Sequence, residues 1–286
     1  VNILSLFISS LIKIALILVE AQLIAFAWVI LFDSFILACG FIYFYTKNNS
    51  KFEIKNLKFK GEYAVSLLKE SWPLILAGLV VSIYMKIDQV MIKEMMNAEA
   101  VGQYAAAVRL SEAWYFIPIV IVSSLFPAVI NAKNQSDDLY YERIQKLYSS
   151  VVWMAIAIAI PITFLSDQVI EMLYGTQFSQ AASVLMIHIW AGVFVFLGIV
   201  FSRSLIVENR TKIAFYRTLS GAILNIAFNY ILIPRYGING AAISTLLAQF
   251  FANYVFDIFI IDLHHHLKLK TMSLFPLHLS KKIQIK

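Results

Sequence analysis

VVWMAIAIAI, residues 151–160, decides the fold. A strand of a membrane β-barrel alternates apolar with polar residues over about ten positions. This run is apolar throughout, so a barrel is excluded and a helix apolar on every side remains. Extended in both directions the run covers 148–166, close to the roughly 20 apolar residues a helix needs to cross about 30 Å of hydrocarbon. Further runs at about 3–19, 23–45, 72–92, 112–131, 181–201, 215–233 and 239–260 predict an all-α integral membrane protein with about eight transmembrane helices. Composition agrees. Of 286 residues, 60% are hydrophobic and 14% charged, and the mean hydropathy is +0.78; soluble domains are nearer half apolar and a quarter charged.

The cations predict an orientation. Every second connection is basic: Lys47, Lys51, Lys55, Lys58, Lys60 and Lys69; then Lys133, Arg143 and Lys146; then Arg203, Arg210, Lys212 and Arg217; then Lys268, Lys270, Lys281, Lys282 and Lys286. The alternate connections hold chiefly Lys93, Arg109 and Arg235. This asymmetry places the 46–70 connection and the tail in the cytoplasm. The net charge of +6 therefore reflects topology and attraction to anionic lipid. No basic face with interleaved aromatics lies outside the spans, so nucleic acid is not an expected partner.

Several chemistries are excluded by absence of their motifs. The chain starts VNILSLF, without methionine, charged n-region or small-residue cleavage site, so its first run does not read as a signal peptide. Cys39 is the single cysteine, which allows neither an internal disulfide nor a thiolate ligand set. There is no GxxxxGK[ST], HExxH, GxSxG or CxxC, and no expected cofactor or enzymatic activity. His264, His265 and His266 are consecutive, so on a helix they point about 100° apart and cannot share one metal. His188 lies within a span, in a packing or a proton-relay role.

The polar residues inside the spans are the candidate site. SIYMKIDQVMI, residues 82–92, puts Ser82, Lys86, Gln89 and Lys93 on one stripe and turns Asp88 to another face. Lys86 either snorkels to the headgroups or meets an anion in a wet cavity, because a charge inside a membrane costs about 3 kcal/mol or more unless partnered. In the last two runs Thr218, Gly221, Asn225 and Asn229 share one face, and Thr245, Gln249, Asn253 and Asp257 another. Beside the latter, Gly240, Ser244, Ala248 and Ala252 form a small-residue row that permits close helix approach. The polar faces serve either interhelical hydrogen bonding or cavity lining.

The order SWPLILAG, KIDQVMI, AEAVGQYAAAVRLSEAW, SSLFPAVINA and PRYGINGAAIST resembles the polysaccharide biosynthesis flippases, the Wzx-type O-antigen transporters of the MOP group that also holds MATE exporters. The resemblance covers about residues 70–260. It implies the C-terminal two-thirds of a twelve-helix, two-bundle transporter: 1–45 as the last two helices of the first bundle, 46–70 as a basic cytoplasmic linker, 71–262 as a six-helix second bundle and 263–286 as a basic cytoplasmic tail. It further implies translocation of undecaprenyl-diphosphate-linked oligosaccharide across a bacterial inner membrane by alternating access. Membrane lipids, polysaccharide polymerase and chain-length proteins are the implied partners.

Under that reading Lys86 supplies a cation for the diphosphate and Arg203 a first contact at the mouth of its span, or else a positive-inside anchor. Ser82, Gln89, Asn225, Asn229, Gln249 and Asn253 line the route. Asp88 or Asp257 carries a coupling H+ or Na+. The alternative is a MATE-like exporter of organic cations, whose cavity needs uncompensated carboxylates. A membrane-embedded polymerase or ligase would need a long periplasmic loop with clustered catalytic residues, and the connections on that side are short.

Overall fold

The computed structural model describes residues 2–48 and 61–274, and every regular element among them is helical. Ten α-helices follow in order: α1 (Asn2–Leu18), α2 (Leu23–Asn48), α3 (Gly61–Met95), α4 (Ala98–Glu112), α5 (Phe116–Lys133), α6 (Asp137–Tyr174), α7 (Ser179–His188), α8 (Ala191–Val207), α9 (Thr211–Asn253) and α10 (His264–Leu274). Most of the 46–70 connection and the tail beyond residue 274 lie outside the described residues. The chain divides into two compact units, Val1–Ser66 and Leu67–Lys286.

Neither eight spans nor the C-terminal two-thirds of a twelve-helix, two-bundle transporter is what the structure holds. Among the described residues four stretches are long and apolar enough to cross a membrane: Ile24–Tyr43, Ala98–Lys133, Asp137–Tyr174 and Thr211–Phe259. A fifth arises if α7 and α8, bent by 48° at their junction, count as one span. The physical reasons are local. The apolar part of α1 is short, Phe7–Leu18; α3 carries Lys86, Asp88, Lys93 and Glu94 in its last third; and the runs at 215–233 and 239–260 fall within the single stretch Thr211–Phe259.

That last stretch is sharply kinked. Gly237 has φ 58° and ψ −139° inside α9, a conformation open mainly to glycine. Straight helix would hold residues 221 and 252 about 46 Å apart. Instead, a Cβ built on Gly221 would lie 2.8 Å from the Ala252 Cβ, and one on Gly240 only 2.2 Å from the Leu232 carbonyl oxygen. The two arms of α9 therefore lie against each other, with glycine at the points of closest approach.

In the first unit, Ser5 of α1 donates to the Asp33 carboxylate of α2, which gives that charge a partner between the two helices. The second unit has two packed clusters. One joins α5, α6, α8 and α10 through Phe126, Tyr148, Phe196, Phe201 and Leu269. The other joins α4, α7 and α9 through small residues, Ala106, Ala107, Ala181, Ala182, Ala241 and Ala242. Small side chains bring these backbones together, and contact between atoms replaces the hydrophobic drive that is missing between helices in lipid. Helix starts are specified locally: the Asn97 side chain accepts from Ala100 N at 2.8 Å, and Ser136 accepts from Leu139 N at 3.2 Å, ahead of Asp137 and Asp138 in the first turn of α6.

The part of the tail that is described is a docked helix. His266 and Lys270 of α10 are buried, 1% and 0% exposed. His266 Nε2 meets Glu208 Oε1 at 2.9 Å, and the Tyr140 hydroxyl donates to the same oxygen at 2.9 Å. Burial alone would raise the Glu208 carboxyl, but the bonds from His266 and Tyr140 outweigh it and hold the group below its usual range. A lowered folded-state pKa adds stability that is present above the ordinary carboxylate pKa and is lost as pH falls through the folded value. Thermal midpoints measured across acidic pH should therefore drop for the wild type. Glu208→Gln should flatten that acid limb and lower the neutral-pH stability by about 1–2 kcal/mol.

Candidate functional site

Helices α3, α4, α8 and both arms of α9 enclose a cavity of ≈ 320 Å³ within the second unit. Its wall is mixed: Val81, Met85, Val108, Val195 and Ile199 beside Tyr84, Asp88, Tyr104, Glu112, Ser202, Arg203, Arg217, Thr218, Thr245, Gln249 and Asn253. Thr245, Gln249 and Asn253 follow at intervals of four residues on the second arm of α9, so one helix face runs down the wall. Thr245 and Asn253 are about 12 Å apart along that face, and each anchors one pole of opposite charge.

The cationic pole is built on Arg217. Arg217 is 6% exposed; its guanidinium donates from NH1 to Asn253 Oδ1 at 2.6 Å and from NH2 to Ser202 Oγ at 2.7 Å, and lies 5.2 Å from the centre of the Phe201 ring. Its Nε has no partner among the described residues. Gly198 makes this geometry possible, since a Cβ there would come within 2.1 Å of Asn253 Oδ1. Asn253 Nδ2 in turn donates to Gln249 Oε1 at 2.7 Å. Arg203, exposed and one helical residue beyond Ser202, brings a second guanidinium to the wall.

The acidic pole is built on Asp88, 5% exposed. Its Oδ2 accepts from the Tyr104 hydroxyl at 2.7 Å and from Thr245 Oγ1 at 2.6 Å, and its Oδ1 from Asn229 Nδ2 at 2.5 Å. Asn225 Oδ1 accepts from Asn229 Nδ2 at 3.3 Å. Nearby, His188 Nδ1 and Ser111 Oγ are 2.9 Å apart and both side chains are buried.

The sequence-derived candidates thus separate into three places. Arg203, Gln249, Asn253 and Asp88 line the cavity, and Asn225 and Asn229 stand behind Asp88. Ser82 and Lys86 are exposed and Gln89 half-buried, with the Ser82 hydroxyl donating to its own helix at Gly78 O, 3.0 Å; none of the three is on the cavity wall. Asp257 is away from the cavity, wholly buried, and receives Lys270 Nζ on Oδ2 at 2.6 Å. Lys270 also donates to the Asn253 carbonyl at 2.9 Å and sits 3.5 Å from the centre of the Phe201 ring.

The consecutive histidines diverge. His264 Nε2 faces Ile258 O at 3.0 Å, the His265 ring lies 4.1 Å from that of Tyr141, and His266 meets Glu208. Among the described residues no group of three or more His, Cys, Asp or Glu is placed to hold a metal ion.

Sequence reasoning missed Arg217, Tyr104 and Glu112 as cavity residues. The charge pattern groups Arg217 with a basic connection although it lies inside the 215–233 run. Its signal was the register: it lies four residues before Gly221 and eight before Asn225, on the same helix face.

A polar cavity with separated charges inside an apolar helical bundle defines a multi-pass membrane protein. The chain belongs to the polysaccharide biosynthesis protein family, whose pattern matches residues 1–183. It is distantly similar to the probable low-salt glycan biosynthesis flippase Agl15 of the archaeon Haloferax volcanii, 26% identical over 169 residues. The matched stretch is 58% of this chain and 35% of that relative, so the chain spans about a third of the relative's length.

Proposed function

We propose that this chain is part of a flippase that carries lipid-linked oligosaccharide across the cytoplasmic membrane for surface glycan assembly. The observation that supports this most directly is the buried Arg217, a cavity-lining cation held by neutral side chains and with no partner for its Nε among the described residues. A polyprenyl diphosphate or phosphate carries its charge into hydrocarbon only where donors replace water, and a guanidinium fork matches phosphate oxygens. Amide and hydroxyl side chains such as Gln249, Thr218 and Ser202 suit the sugar. Alternating access around the site moves the headgroup with no covalent step.

Asp88 and Glu112 on the same wall favour a second reading, export of organic cations. Gene deletion separates the two. The flippase reading expects loss of the surface glycan with lipid-linked units accumulating in the inner leaflet; normal glycan with heightened sensitivity to cationic dyes would establish the exporter. In the same assay Lys86→Ala should retain at least about half of export, because Lys93 can anchor α3 at the headgroups in its place.

A further inference from the structure

We infer that Glu112, with the rings of Tyr84 and Tyr115, forms a subsite for a protonated amine, so that the cavity takes a lipid-linked sugar carrying a free amino group beside its phosphate. The inference rests on the flippase reading and adds to it the chemical class of the sugar.

The first observation is a carboxylate on the cavity wall without an ion-pair partner. Glu112 lines the cavity, and among the described residues no Lys, Arg or His forms an ion pair with it. Lys86 attracts it through space but is exposed and off the wall. Asp88 adds to the negative potential there and is itself occupied by three donors, Tyr104, Thr245 and Asn229, so Glu112 is the carboxylate left open to a ligand. A charge within the membrane is costly unless partnered. A cationic group on a bound ligand supplies the partner that this wall lacks.

The second observation is the pair of aromatic rings around that carboxylate. Tyr84 of α3 and Tyr115, three residues past Glu112, line the same cavity and lie close enough to feel the Glu112 charge. The Tyr115 ring is held edge-on against Phe196, with centroids 6.3 Å apart. Aromatic rings attract an ammonium group, and a carboxylate neutralises it through charge-assisted hydrogen bonds. The combination suits a protonated amine better than a hydroxyl or an acetamide.

The third observation is the relation of this subsite to Arg217. Tyr104, Val108 and Glu112 follow at four-residue intervals on α4, as Thr245, Gln249 and Asn253 do on α9, and all six line the cavity. The two rows start together, with the Tyr104 and Thr245 hydroxyls 3.4 Å apart, and each runs for about 12 Å. The first ends on the Glu112 carboxylate. The second ends on Asn253, which holds the Arg217 guanidinium at 2.6 Å, and the Arg217 Nε has no partner among the described residues. A single ligand within ≈ 320 Å³ therefore meets both charges, its phosphate at Arg217 and its amine at Glu112. That volume is at the small end for ligand sites, so the amine belongs on the sugar next to the phosphate. Phosphatidylethanolamine offers the same two charges, and the test separates the two sources.

The purified chain in detergent, titrated calorimetrically with farnesyl-diphosphoglucosamine and with its N-acetyl counterpart in slightly acidic buffer, tests this. The free amine should bind about tenfold more tightly, the usual worth of a charge-assisted hydrogen bond. Glu112→Gln should bind the two compounds alike, and Tyr115→Leu should cut the preference about threefold, while Glu142→Gln on the surface should keep it. The comparison of the two compounds on the wild type needs no variant to fold. Equal affinities there, or a preference that survives in folded Glu112→Gln, would overturn the amine subsite and leave the flippase reading standing. Displacement of the amino sugar by phosphatidylethanolamine, but not by phosphatidylglycerol, would assign the two charges to a lipid headgroup and overturn the sugar. Binding of ethidium through Glu112, with neither diphosphate bound, would overturn the flippase reading and this inference together.

Discussion

Arg217→Ala is expected to lower glycan export about thirtyfold or more, with little change in the amount of membrane protein. A truncated partner of a buried, charge-assisted contact typically costs about 2–5 kcal/mol, and 2 kcal/mol is already about thirtyfold. Arg217 also holds Asn253 and Ser202 in place, so a packing defect has to be separated from loss of the cation. Arg217→Lys does that. It keeps the charge but loses the planar fork, so it should recover part of the export and bind short-chain polyprenyl diphosphate more weakly than wild type. Asn253→Ala keeps the guanidinium but releases one of its anchors, and should reduce export less than Arg217→Ala does. Complementation of a strain lacking its flippase, read as surface glycan on a gel with protein level on a blot, is the measurement. Full export by Arg217→Ala would remove this residue from the substrate path.

The sequence and the structure agree most where helical angle alone decides. Asp88 was separable from Lys86 by its position on the helix, and it does point inward while Lys86 stays exposed. The Thr245, Gln249 and Asn253 row was readable at four-residue spacing and lines one wall. Agreement ends where position in the chain stands in for position in space. Arg217 and Lys270 were grouped with connection and tail cations because charge asymmetry counts residues along the sequence, yet both are buried beside Phe201. Register carried the missing signal for Lys270: His266 and Lys270 are four apart and share a face of α10. Span counting failed for a related reason. Counting takes each apolar run as one span, yet the runs at 215–233 and 239–260 fall within the single stretch Thr211–Phe259, and the run at 72–92 leads into the charges that end α3. The long-range partners of Asp88, 16 to 157 residues away, are set by packing and have no local pattern.

Lys270→Met should destabilise the protein by about 3–5 kcal/mol, the usual result of removing one partner of a buried ion pair. The mechanism is the stranded charge. Asp257 and Lys270 are both 0% exposed, Lys270 Nζ donates to Asp257 Oδ2 at 2.6 Å, and the other carboxylate oxygen has no partner among the described residues. Asp257→Leu alone strands the ammonium and should lower stability comparably, although Lys270 keeps the Asn253 carbonyl and the Phe201 ring as neighbours. The double variant Asp257→Leu/Lys270→Met removes both charges at once. Replacing a buried pair by apolar residues is often neutral or better, but here the Asn253 carbonyl loses its donor, which costs about 1–3 kcal/mol. The double variant should therefore recover part of the loss and stay below wild type, giving a clearly favourable coupling energy in the cycle. Chemical denaturation of the purified chain in detergent reads all four proteins. Single variants within about 1 kcal/mol of wild type would mean that the pair is solvated rather than buried. The export assay adds a second reading: Asn253 is held through its carbonyl by Lys270 and through its side chain by Arg217. Lys270→Met and the double variant should consequently both lose part of export, even where the double variant regains stability.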